Sequence, residues 1–128
     1  MQTTQETIST NSNKVGLASE NGQSLGNGPL YSMFPCSTSK VLDFMITFHR
    51  YDYSVSDIAK NSGVTFKTGL NEVRKLEKEG IITFTRKVGK ATMFQLAKTP
   101  EADAMRMLAL KIANRRIDEE IKKQSIEN

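Results

Sequence analysis

Residues 59–82 read AKNSGVTFKTGLNEVRKLEKEGII, and two of their three glycines, Gly63 and Gly80, divide them. Gly63 suits the left-handed residue that closes a helix, and Gly80 does the same 17 positions later. Between them Thr65 is a good N-cap for a helix running to about Glu79. Leu70, Val73 and Leu76, with Gly69, form one apolar stripe of that helix. The other side carries Lys67, Asn71, Arg74 or Lys75, and Lys78 at helical spacing. Such a face is either an ordinary solvated surface or one built to meet a polyanion.

The distribution of charge suits a polyanion and ordinary solubilising charge about equally. The formal net charge is +4. Residues 40–98 hold eleven basic and six acidic residues, whereas residues 99–128 hold six of each. A positive excess confined to one segment is the electrostatic footprint expected of nucleic-acid binding. Glu72, Glu77 and Glu79 interrupt it and can pair locally with Lys75 or Lys78.

Upstream, SVSDIAKNSG forms a shorter helix, capped by Ser54 with Asp57 three residues on, and with Ile58 and Ala59 inward. Gly69 costs its helix up to about 1 kcal/mol relative to Ala, which close packing against this shorter helix would explain. Before it, a helix over about 37–50 is offered N-caps by STSK. It buries Val41, Leu42, Phe44, Met45 and Phe48. Downstream, IITFTR alternates Ile82 and Phe84 against Thr83 and Thr85, and ATMFQLAK supplies a second strand. KVGK turns between them and places Arg86, Lys87 and Lys90 at the hairpin tip. Thr99 and Pro100 then open a helix to about Gln124. One of its faces carries Met105, Leu108, Ala109 and Ile112, and another Leu110, Ile117 and Ile121. The first covers the domain; the second is free to meet another copy of the chain.

The fold class expected is mainly α with a small β-hairpin (α+β). Its parts are a polar tail over 1–35, a domain over 36–98 and a terminal helical segment over 99–128. The tail, rich in Gln, Thr, Ser, Asn and Gly, lacks the apolar residues that would offset its ordering entropy, so disorder is expected roughly to Leu30. Tyr31, Met33 and Phe34 are candidates to dock on the domain.

The order helix, helix, turn, helix, hairpin, and the run IAKNSGVTFKTGLNEVRKLEKEGII, resemble the winged helix-turn-helix of MarR-like and ArsR-like transcription regulators. The resemblance covers about residues 39–98. Ala59, Gly63, Val64 and Thr65 match the pattern, and LEKEGII is similar to the run that leads into the wing. Gly69 departs from it, since an apolar residue is usual there. The resemblance implies a sequence-specific double-stranded-DNA-binding protein, a transcription regulator and a homodimer made by its terminal helices. Thr65 would open the recognition helix at the DNA, and Phe66, Lys67, Thr68 and Asn71 would face base edges, since the N-terminal half of such a helix reaches into the major groove. Arg74, Lys75 and Lys78 suit phosphates, and Arg86, Lys87 and Lys90 the neighbouring backbone or minor groove. Leu110, Ile117 and Ile121 are the dimerisation candidates. Two alternatives stay open: a partition or replication factor, and a winged helix used as a protein-interaction module.

No catalytic constellation is legible. One His, one Cys, and neither clustered carboxylates nor a Gly-rich phosphate loop argue against an enzyme, a metal site or a cofactor. Cys36, beside the tail and far in sequence from any basic cluster, is a weak redox candidate. No apolar run approaches the roughly 20 residues that span a bilayer, and no signal pattern opens the chain. A soluble, cytoplasmic protein is expected.

Overall fold

The computed structural model describes residues 28–127. The elements run α1 (Pro29–Met33), α2 (Ser37–Thr47), β1 (Tyr53–Ser54), α3 (Val55–Ser62), α4 (Phe66–Lys78), β2 (Ile82–Val88), β3 (Ala91–Leu96) and α5 (Pro100–Glu127). The expected tail up to residue 27 lies outside the described residues.

The helix-turn-helix forms where its local signals put it. Ser54 Oγ accepts from Asp57 N at 3.1 Å and starts α3. Gly63, at φ 75°, ends it, while Val64 N donates to Ala59 O across the turn. Thr65 Oγ1 then accepts from Thr68 N at 3.1 Å and starts α4. The same device closes α4: Gly80 has φ 78° and Ile81 N donates to Leu76 O at 2.9 Å. Both glycines hold a left-handed conformation that a side chain would strain. Gly69 serves a different purpose. A Cβ there would stand 2.7 Å from Ala59 Cβ, so α3 and α4 approach as closely as they do because neither carries bulk at the crossing.

The sheet is three-stranded in the order β1–β3–β2, all antiparallel. The hairpin was legible; β1 was not, because two residues carry no alternation to read. It joins the sheet by pairing Tyr53 with Phe94, and the Tyr53 ring packs 4.9 Å from Phe44. β2 runs to Val88, so Arg86 and Lys87 lie on the strand and only Gly89 and Lys90 form the turn. Phe84 corrects the expected alternation: it is exposed, with its ring 6.4 Å from that of Phe94 in an edge-on arrangement. β2 is the outer strand, and beyond Ile82 no layer covers it. α2 is also shorter than expected, with Phe48 as its C-cap. Its N-cap is Cys36, and Ser39 reaches back from the first turn to accept from Cys36 N.

The largest correction is at the N-terminal boundary. Residues 28–35 belong to the folded body. α1 packs against α2 and α5, and Leu30 is fully buried. α1 has no cap from its own chain neighbourhood. Asp43, buried on α2, accepts from Leu30 N at 3.0 Å and Tyr31 N at 2.9 Å in its place. Gly28 leaves room for that carboxylate, into which a Cβ would collide. Burial pushes the Asp43 pKa up, against the pull of the Tyr31 and Leu30 amides and of Arg116. Tyr31 is half-buried under Lys40, whose ammonium lies 5.4 Å from the ring centre, whereas Met33 and Phe34 stay exposed.

The core joins Leu30, Val41, Phe44, Met45, Ile58, Val73, Leu76, Ile82 and Leu96 with Ala102 and Ala109 of α5. Thr99 Oγ1 donates to Gly80 O and accepts from Ala102 N, tying the start of α5 to the end of α4. Leu108, expected on the domain face of α5, stands mostly outside it. No helix among the described residues is long and apolar enough to cross a membrane.

Candidate nucleic-acid interface

α4 has two chemically opposite sides. Gly69, Val73 and Leu76 are buried, while Lys67, Asn71, Arg74 and Lys78 are exposed. At about 100° per residue, these four polar residues fall within an arc of roughly 60° centred opposite the buried ones. Glu72 and Glu77 project outside that arc by the same spacing. The result is an uninterrupted ridge of three cations and one amide about 16 Å long.

The other candidates divide by what already holds them. Thr65 and Thr68 serve the cap, their hydroxyls 3.0 Å apart. Phe66 follows directly and is 56% exposed, unusual for a large aromatic in a helix that otherwise buries its apolar side. Lys75 is engaged: its ammonium lies 3.0 Å from Glu72 and donates to Thr38 Oγ1 at 2.7 Å. Thr38 in turn donates to Glu72 Oε1, closing a triangle between α2 and α4.

Arg86 is engaged more firmly. A β-bulge between Phe84 and Arg86 brings Thr85 and Arg86 to one carboxylate, that of Asp52 in the segment between α2 and β1. Arg86 forks onto it at 2.9 and 3.1 Å, and Thr85 Oγ1 donates at 2.5 Å. The Arg86 hydrogen bonds, then the Thr85 one, hold the Asp52 pKa down at about 2. Arg86 was expected to reach a phosphate; it instead clamps the base of the wing to the body. The side chains of Lys87 and Lys90, further out, are exposed, and neither is in an ion pair among the described residues. Asp52 escaped the sequence reading because nothing near HRYDYS signals a partner 34 residues away.

Cys36 is exposed, and the backbone N–H of Ser39 lowers its pKa. Among the described residues no group of His, Cys, Asp and Glu could hold a metal ion.

No protein-family model matches the sequence, and no curated protein does. Solved structures do. The adhesin competence repressor AdcR of Streptococcus pyogenes aligns at 14% identity and TM-score 0.51, over 76% of this chain and 70% of its own. The homodimeric winged helix-turn-helix DNA-binding domain of Mb0332 from Mycobacterium bovis, a possible ArsR-family regulator, aligns at 16% and 0.51, over 69% and 77%. The chain has a winged helix-turn-helix fold. BpsR of Bordetella bronchiseptica, whose DNA binding 6-hydroxynicotinic acid regulates, aligns at 13% and 0.52, over 70% and 66%. In the winged-helix fold α3 and α4 take the positions of the helix-turn-helix, α4 that of the recognition helix, and β2–β3 that of the wing. The resemblance to MarR-like and ArsR-like regulators therefore holds at the level of fold.

Proposed function

We propose that this winged helix binds double-stranded DNA sequence-specifically as a homodimer and regulates transcription. One observation carries the reading: the exposed ridge Lys67–Asn71–Arg74–Lys78 lies opposite the buried stripe of the recognition helix, with no carboxylate on it. A major groove admits one helix. Phe66, Lys67, Thr68 and Asn71 occupy the half that would meet base edges, and Asn71 can take adenine in two places. Arg74 and Lys78 suit phosphates, and Lys87 and Lys90 would grip the backbone or minor groove beside them. Thr65 positions the start of the helix. Arg86 and Lys75 contribute by holding the frame, and would touch phosphate only by leaving Asp52 and Glu72. The structural likeness to AdcR, named a repressor, and to BpsR, whose DNA binding a small molecule regulates, supports this role over a partition or replication factor. Cytoplasmic placement belongs to the same reading.

The homodimer would form through α5, where Leu110, Ile117 and Ile121 are half or more exposed. The homodimeric state of the Mycobacterium bovis domain supports it. Two recognition helices could then meet successive major-groove turns, about 34 Å apart.

Duplex binding measured across a salt series tests the function. Affinity should fall linearly in log–log form, with a slope of about −0.9 per phosphate neutralised. Lys87→Glu should weaken binding to all sequences about equally. Asn71→Ala should relax sequence preference by roughly 1–3 kcal/mol at one position. A response flat in salt would overturn the reading in favour of a protein-interaction module, and two variants that bind like the parent would overturn the residues assigned to the interface.

A further inference from the structure

α5 carries two apolar seams on opposite sides. The inner seam is Ala102, Met105, Ala109 and Ile112, at spacings of three and four residues; both alanines are fully buried and the other two pack on the core. The outer seam is Met107, Leu110, Asn114, Ile117, Ile121 and Gln124, with the same alternation of three and four. These are the a and d positions of two and a half heptads, and the inner seam occupies c and f. Met107, Leu110, Ile117 and Ile121 are each 50–57% exposed. From Asn114 to Gln124 every residue is exposed, so the second half of this 28-residue helix stands clear of the body. A helical extension of that length is marginal in water without a partner.

We infer that the outer seam zips against the same seam of a second copy running antiparallel, with Asn114 beside the two-fold axis setting the register. This rests on the homodimer proposed above and adds its orientation. In the antiparallel register that uses the whole seam, Met107 meets the partner's Gln124, Leu110 meets the partner's Ile121, and Asn114 sits beside the partner's Ile117. The two Asn114 side chains are then one layer apart, about 4.5 Å along the axis, and can hydrogen-bond to each other. Charge decides between the two orientations. Antiparallel pairing sets Lys111 beside the partner's Asp118, and by symmetry does so twice. Parallel pairing sets Arg106 beside the partner's Lys111, two like-charge contacts in place of two attractive ones. One polar residue at an a position is also the usual device for setting register in such seams.

Disulfide trapping in a Cys36→Ser background tests the orientation, read alongside sedimentation of the full chain. Met107→Cys and Gln124→Cys proteins, mixed and oxidised, should give a cross-linked heterodimer, while neither alone should cross-link. In the antiparallel register the two copies of residue 107 lie about 26 Å apart, far beyond the roughly 4 Å between Cβ atoms that a disulfide needs. Cross-linking of Met107→Cys alone would show a parallel seam and overturn the inference with the dimer intact. A dimer that cross-links in neither arrangement would place the interface elsewhere and also overturn it. A chain that sediments as a monomer at all concentrations would remove the dimer itself.

Discussion

Gly69 and Ala59 meet where the recognition helix crosses its support, and the spacing there tolerates no methyl group. Gly69→Ala should therefore destabilise the protein by about 1–3 kcal/mol through overpacking, less up to about 1 kcal/mol of gained helix propensity. Ala59→Gly in the same molecule reopens the space. Denaturant melts of the two single variants and the double variant check this, and the double variant should be more stable than Gly69→Ala alone. Asp52 offers a prediction in pH. Its folded pKa, about 2, is below the ordinary value near 4. The clamp therefore contributes its full stability above about pH 4 and loses it as pH falls towards 2. The gap in melting temperature between the parent and Asp52→Asn should narrow over that window. A gap constant down to pH 2 would refute the assignment. Nothing local foretold this clamp: Asp52 and Arg86 are distant in sequence, and only the bulge at Thr85 aims both strand residues at the carboxylate. Gly69, by contrast, was legible as a close contact because a glycine inside a strong helix needs a packing reason.

At the scale of elements, α1 shows where composition misleads. Residues 28–35 belong to a stretch whose average is polar, yet a single Leu30, fully buried, makes them part of the core. Averages over a window hide one well-placed apolar side chain, and the cap comes from Asp43 on another helix, which no local signal reveals. Leu30→Ala should cost about 2–5 kcal/mol, the range for an aliphatic core truncation. Thermal melts of that variant, and of a chain begun at Cys36, would measure it; unchanged stability in both would return this segment to the tail. α3, α4 and the hairpin were legible for the opposite reason. Their caps and closing glycines lie within three to five residues of what they satisfy, so sequence proximity suffices. The turn of the wing is two residues shorter than expected, both on the β2 side, because β2 carries Lys87 and Val88, which look like loop. For the interface, spacing alone separated the ridge from the buried stripe of α4, but could not tell that Lys75 and Arg86 are already taken.

For the molecule as a whole, α5 is the element that would set one body relative to another in the proposed dimer. If its outer seam joins two copies, Ile117→Asp with Ile121→Asp should yield a monomer by sedimentation. That monomer should keep its fold, since both residues lie beyond the core, and lose at least tenfold in affinity for a paired site while holding a half-site as before. Equal affinity of the monomer for both would show that the two copies do not cooperate on DNA. The expected faces of this helix were mostly legible from periodicity; Leu108 was misplaced because it flanks the boundary between them.

α5 runs unbroken from Pro100 to Glu127, and both seams are drawn on that one rod. If α5 joins two copies on DNA as proposed, the angular phase between their reading heads is geared to residue count. One residue inserted after Ile112 would rotate the outer seam by about 100° against its head, while seven would restore the phase and, with Asn114 kept beside the two-fold axis, move each head about 10 Å outward, about 20 Å for the pair. Lengthening the shaft by whole heptads would in this way retune which spacing of half-sites the pair can straddle, without touching any residue that faces a base.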